Sequence, residues 1–135
     1  MIAIDLARAY YQAWNDHDAK AISGMFISDA VFHDPSAGAI QKKSAIIEYA
    51  KIMFLAFPDI KYDVTAQHDT GQGKIITEYT ITGTNTGPLP GMMPTSKTMK
   101  VEAVDIMEVD NGKIKSLKGF FDRLAIAEQL GWVQQ

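Results

Sequence analysis

Residues 98–122 read TMKVEAVDIMEVDNGKIKSLKGFFD, two β-rich runs on either side of Asn111-Gly112. Asn-Gly at the centre of such a link is the strongest short-range hairpin signal, because a type I′ turn needs positive φ at both of its positions. With those two residues as the turn, Asp110 faces Lys113 and the partners step outward together. Val109 then meets Ile114, Met107 meets Ser116, Asp105 meets Lys118, Ala103 meets Phe120 and Val101 meets Asp122. Cross-strand partners share one face of a sheet, so this register collects Val101, Ala103, Met107, Val109, Ile114 and Phe120 on one side. That side is expected to face the interior, and it carries Asp105, Lys118 and Asp122 with it. The other face is apolar only at its centre, at Val104, Ile106, Leu117 and Phe121.

Three charges on an interior face need partners, because each buried ion costs several kcal/mol to desolvate. Asp105 and Lys118 are set opposite each other, either as a buried pair or as an ordinary cross-strand pair on a solvated face. Asp122 has no partner within the hairpin. A lone carboxylate in an apolar cavity is pushed toward neutrality, where it can both take and give a proton. The competing reading makes Asp122 the cap of a helix that starts at Leu124. Both stay open at this point.

Outward from the hairpin, Lys61 to His68 alternates with period two, and Lys74 to Thr86 is rich in β-branched residues, so both read as strands. Asp69 to Gly73 is the turn between them. Gly87-Pro88-Leu89-Pro90-Gly91-Met92-Met93-Pro94 is a loop, barred from regular structure by its prolines. The N-terminal third has helical spacing instead. Ile4, Ala7, Tyr11 and Trp14 form one stripe. Asp18 is placed to cap a second helix running through Met25-Phe26. A third helix covers about Lys43 to Phe57. Ala30 to His33 is a short extended run stopped at Pro35, and a short helix, Leu124 to Leu130, ends the chain. Helices followed by antiparallel strands give an α+β fold, a meander sheet with helices on one face. The aromatic and methionine side chains expected to line a pocket in it are Trp14, Met53, Phe54, Tyr79 and Met92. The apolar centre of the outer sheet face calls for a cover, and a homodimer would supply one.

The chain has 135 residues, which suits one domain over residues 1–135. Its formal net charge is −3 with no dense basic run, which argues against a nucleic-acid surface. No cysteine is present, so disulfides, thiolate catalysis and zinc–cysteine sites are excluded. The three histidines are scattered along the chain, which suggests no metal site. No apolar run approaches a membrane span and the start does not read as a signal peptide, so a cytoplasmic location is expected.

Several segments in order resemble one family. They are Tyr11-Gln12-Ala13-Trp14-Asn15, Phe32-His33-Asp34-Pro35, Gly83-Thr84-Asn85-Thr86-Gly87, Pro94-Thr95-Ser96-Lys97, Asn111-Gly112-Lys113-Ile114, and Asp122 with Gln129-Leu130-Gly131. Together they are similar to the SnoaL-like polyketide cyclases, small domains of the nuclear transport factor 2-like class. The resemblance implies a cone of curved sheet, antiparallel or mixed, wrapped around three N-terminal helices. It also implies a dimer, no cofactor, and an apolar carbonyl-bearing ligand. Asp122 matches the acid/base of an intramolecular aldol cyclisation, and His33 matches a pocket histidine that orients the acid or holds a carbonyl. Ketosteroid isomerases share the fold and use a carboxylate for a related enolisation. One position departs from the pattern: Lys118 stands where the family usually has tryptophan. The expected substrate-binding set is therefore Trp14, Met53, Phe54, Tyr79, Met92, Asp105, Lys118 and Phe120, with Asp122 and His33 catalytic. A non-catalytic binding protein and an epoxide hydrolase using two carboxylates are the alternatives.

Overall fold

A computed structural model describes residues 2–133. In chain order its elements are α1 (Ala3–Asn15), α2 (Ala19–Gly24), β1 (Phe26–Asp34), β2 (Gly38–Gln41), α3 (Lys43–Ala56), β3 (Lys61–Asp69), β4 (Lys74–Thr84), β5 (Thr98–Asp110), β6 (Lys113–Phe121) and α4 (Arg123–Gln129). The strands form one curved, unclosed sheet in the order β2-β1-β6-β5-β4-β3. All neighbours are antiparallel except β1 and β6, which run parallel. The α+β class and the mixed curved sheet are thus as the sequence implies. Among the described residues no helix is long and apolar enough to cross a membrane.

Two elements differ from the sequence reading. The second helix stops at Gly24, and Phe26 already belongs to β1. The strand after Pro35 was not expected at all: Gly38–Gln41 returns antiparallel along β1 as the sheet edge. Four exposed or half-buried residues at an edge carry little period-two signal, which is why β2 escapes pattern reading.

Helix α1 lies on the inner face of the sheet and buries Leu6, Tyr10, Tyr11 and Trp14. Its C-terminal end is fixed to β3 by Asn15, whose side chain accepts from Tyr62 N at 2.7 Å and donates to Tyr62 O at 2.9 Å. One amide side chain thus replaces a strand neighbour for Tyr62. Trp14 stacks on Tyr62, and Tyr62 stacks on Tyr79, with ring centroids 5.1 and 5.3 Å apart.

The β5–β6 hairpin turns as its sequence demands. Asn111 and Gly112 have φ of 50° and 73°, and Asp110–Lys113 and Val109–Ile114 pair as expected. The register then slips at a β-bulge between Glu108 and Val109, so Glu108 meets Ser116, Met107 meets Leu117, Asp105 meets Gly119 and Val104 meets Phe120. At the slip both strands are bonded to neighbours outside the hairpin. Val109 N donates to Gly73 O at 2.8 Å, and Ile114 N donates to Met25 O at 2.7 Å. The turn-proximal residues therefore bond sideways, and Lys115 becomes the extra residue that a bulge leaves without a partner. Gly73 is required there, because a Cβ would stand 2.3 Å from Val109 O.

A one-residue slip sends every following side chain to the other face. Leu117, Gly119 and Phe121 turn inward, while Lys118 and Phe120 turn outward, both exposed. The expected Asp105–Lys118 pair is therefore corrected: the partner of Asp105 is Gly119, and Lys118 sits opposite Ile106. Phe120, expected inside, lies 49% exposed on the outer face. It borders a shallow groove there with Thr65, Glu78 and Glu102.

Candidate active site

The hairpin slip leaves the β5 face as the sequence assigned it, so Asp105 points inward, 4% exposed. Its Oδ2 accepts from Tyr11 Oη and its Oδ1 from Tyr79 Oη, both at 2.7 Å. One donor comes from α1 and the other from β4, so the carboxylate is clamped between the two layers of the fold. Burial pushes Asp105 up from its ordinary value of 3.8 to about 6. The two tyrosine donors oppose that rise, and the charge of Asp34 adds to it. Gly119 opens the space in front of this carboxyl: a Cβ there would lie 3.0 Å from Asp105 Oδ1.

Asp34 is the second buried acid, 7% exposed at the end of β1. Its Oδ2 accepts from Ser36 N at 2.8 Å and Ala37 N at 2.9 Å, and its Oδ1 accepts from Tyr49 Oη at 3.1 Å. The backbone donors form the tight turn after Pro35, so sequence chemistry local to Asp34-Pro35-Ser36 sets this carboxylate in place.

Both acids open on one cavity of about 570 Å³, a size suited to a small organic molecule. Its walls are largely apolar and aromatic, with Phe32, Tyr49, Phe57, Tyr62, Tyr79, Phe121 and Trp132 contributing rings. Among the described residues Arg123 is the one cation in the lining, and it is exposed. Leu89, Pro90 and Met92 close one side from the proline-rich loop. That loop is held at its base by Asn85, which donates to Gly87 O at 2.9 Å and accepts from Thr95 N at 3.1 Å. Gly87 packs so tightly on α3 that a Cβ would stand 1.9 Å from Leu55 O.

The lining tyrosines stay protonated. Burial first, and then the charge of Asp105, pushes Tyr10, Tyr62 and Tyr79 well up; burial and Asp34 do the same for Tyr49. Tyr79 and Tyr49 spend their hydroxyl protons on the two acids. Tyr62 is 9% exposed, lines the cavity, and has no hydrogen-bond partner for its hydroxyl among the described residues. Its ring is fixed by stacking and its backbone by Asn15, so the free hydroxyl is a pre-positioned donor within electrostatic reach of both carboxylates.

Of the residues expected at the site, Met53, Tyr79, Met92 and Asp105 line this cavity. The others do not. Trp14 is buried in the core behind Tyr62, and Phe54 stacks on His17 and packs edge-on against Trp14. Lys118 and Phe120 are on the outer face for the reason given above. His33 is exposed, alternating outward between the inward Phe32 and Asp34, and pairs with Lys118 on β6. Asp122 is exposed and accepts from Ala125 N at 3.0 Å as the N-cap of α4; it is absent from the cavity wall. Among the described residues no three His, Cys, Asp or Glu side chains are grouped to hold a metal.

Sequence reasoning missed Asp34, Tyr10, Tyr49 and Tyr62. The signal for Asp34 was the strand parity of Phe32-His33-Asp34: an inward Phe32 places Asp34 inward and His33 outward. Tyr11 stood on the helical stripe in plain view, but only the folded packing of α1 on β5 shows that its hydroxyl meets Asp105.

The fold is shared with solved structures of low sequence identity. A hypothetical protein with ketosteroid isomerase-like fold from Catenulispora acidiphila, in complex with trimethylamine, is 15% identical with a TM-score of 0.81, covering 93% of this chain and 92% of its own. A SnoaL-like polyketide cyclase assigned in Jannaschia is 16% identical with a TM-score of 0.86, at 98% and 93% coverage. A polyketide cyclase assigned in Pseudomonas putida is 19% identical with a TM-score of 0.86, at 96% and 98% coverage. The search of curated proteins found no match. The sequence model of the SnoaL-like polyketide cyclases, however, matches residues 4–130, so the chain belongs to that family.

Proposed function

We propose that the protein is a cofactor-independent acid–base catalyst that enolises an apolar, carbonyl-bearing small molecule, with Asp105 as the proton-transfer group. The observation that carries this reading is a buried carboxyl, raised to about 6, facing an aromatic-lined cavity. A group poised near neutrality takes a proton from carbon as the carboxylate and returns it as the acid. Asp105 removes the proton α to the carbonyl, and the C–H electron pair moves to form the enolate. The negative oxygen is met by the free Tyr62 hydroxyl. Such a donor, fixed before reaction, stabilises developing charge at little reorganisation cost. When Asp105 holds the proton, Tyr11 or Tyr79 can turn its hydroxyl to accept it, since a phenol both donates and accepts. An enolate made this way either regains its proton at another carbon, an isomerisation, or attacks a second carbonyl in the same molecule, an aldol cyclisation. Asp122 is better read as a helix cap than as the base.

The test is proton exchange at carbon. β-Tetralone, an apolar ketone of suitable size, is incubated with the protein in deuterium oxide and followed by NMR. Catalysed α-deuteration that Asp105→Asn abolishes and Asp122→Ala retains supports the reading. Exchange that survives Asp105→Asn overturns it.

The outer sheet face, with Phe120 exposed on it, is proposed as a homodimer surface. Light scattering that shows a monomer at high concentration would count against it.

A further inference from the structure

The cavity is acidic where its recognition groups are deepest. Asp34 and Asp105 are both buried, and neither makes an ion pair among the described residues; the pairs there are Asp5–Arg8, Glu48–Lys51, Glu78–His68 and Glu108–Lys115, all on the surface. Each acid is held by neutral donors alone: two tyrosine hydroxyls at Asp105, and a tyrosine hydroxyl with two backbone amides at Asp34. The charge of Asp34 adds to the upward push on Asp105. The single lining cation among the described residues, Arg123, lies on the exposed first turn of α4 and reaches neither within ion-pair distance. Buried carboxylates without a cation are costly. Here the place a cation would occupy is the cavity itself. Its walls beside Asp34 are the rings of Phe32 and Tyr49, whose centroids are 5.4 Å apart, and aromatic faces attract cations. The unpartnered Tyr62 hydroxyl marks a second polar point in the same space.

We propose that the carbonyl-bearing substrate is also an amine, bound as its ammonium with Asp34 as the anchoring carboxylate. This rests on the reading of the cavity as a substrate site, and it separates the work of the two acids. Asp34 holds the cationic end, and Asp105 is left free to handle the proton on carbon. An ammonium there also supplies the counter-charge that the protein itself does not place beside the two acids.

Three probes of one shape and different charge test it: naphthylethylamine, naphthylethanol and naphthylacetate, titrated near neutral pH by calorimetry. The amine is expected to bind about tenfold or more tightly than the alcohol, the size of one charge-assisted contact, and the acid weakest. Asp34→Asn should bring amine and alcohol to equal affinity while the alcohol still binds, which also reports that the variant is folded. Equal binding of amine and alcohol by the native protein overturns the proposal. A preference for naphthylacetate does so as well and shifts recognition to Arg123. An amine preference that survives Asp34→Asn overturns the anchor. If the variant no longer binds the alcohol, the three native affinities decide. The β-tetralone exchange is independent of these affinities, so loss of catalysis with amine preference intact would sink the enolisation reading alone.

Discussion

Asp105→Asn should change the pH dependence of folding in one window and one direction. The carboxyl ordinarily titrates at 3.8 and is raised to about 6 in the folded protein. Between those values the folded state binds more protons than the unfolded one, so stability falls as pH rises. The stability tied to protonated Asp105 is fully present below about 3.8 and is gone once pH has passed through about 6. At about 1.4 kcal/mol for each pH unit between the two values, the loss is on the order of 3 kcal/mol. Asparagine has nearly the same shape, keeps an oxygen for one tyrosine and cannot ionise, so the variant escapes this loss. The assay is urea unfolding of both proteins from pH 4 to pH 7.5, compared as a difference so that the shared carboxylates cancel. The native protein should lose about 1 to 2 M in midpoint relative to the variant across that range, given the usual denaturant slope for small domains. A flat difference would refute the claim that Asp105 is a buried, raised acid, and with it the case for its catalytic role.

Other outcomes follow from the same geometry. Tyr11→Phe and Tyr79→Phe each remove a 2.7 Å donor from the carboxylate. Each should raise Asp105 above about 6, by about one to two pH units for a hydrogen bond to a charged group, read by carboxyl carbon-13 NMR. Gly119→Ala sets a Cβ 3.0 Å from Asp105 Oδ1; a loss of about 1 kcal/mol or more and slower tetralone exchange are expected from unfolding and NMR measurements. Asp122→Ala removes the α4 cap and should cost about 1 kcal/mol, whereas Asp122→Asn keeps a capping oxygen and should cost much less. His33→Ala and Lys118→Ala, on the outer face, should leave the exchange rate within about twofold, the small scatter expected of surface changes.

The fold was legible because its signals are local. The Asn111-Gly112 turn, the helical stripe of α1 and the alternation of β3 each lie within a few residues, and the family likeness ordered them. The site was less legible because its geometry depends on contacts distant in sequence. The bulge that reverses β6 sits beside bonds from Val109 to Gly73 and from Ile114 to Met25, and the Asn111-Gly112 turn alone does not announce it. The β5 face was read correctly, since it lies before the slip in structural terms and keeps its own parity. Asp105 was therefore found, but its partner was not.

That slip has a chemical consequence beyond the naming of partners. In the unslipped register an ammonium on Lys118 would stand against Asp105, and an ion pair would hold the acid ionised and inert. With the bulge, Gly119 occupies the place opposite Asp105, and the counter-charge is replaced by empty space and two neutral phenols. The carboxyl is then raised rather than lowered, and the space left by the missing side chain belongs to the cavity wall. A single extra residue at Lys115 thus moves a lysine to solvent and opens the floor of the pocket, and it leaves Asp105 as a group that exchanges protons near neutral pH. Deleting Lys115 should remove the bulge and leave that arrangement in place. Ser116 would then follow Ile114 directly, so Gly119 still falls opposite Asp105 and Lys118 still falls opposite Ile106, and carboxyl NMR should find Asp105 at about 6 as before. An Asp105 moved well below that value by the deletion, in a folded protein, would show that the Gly119 register is not what sets the acid's environment.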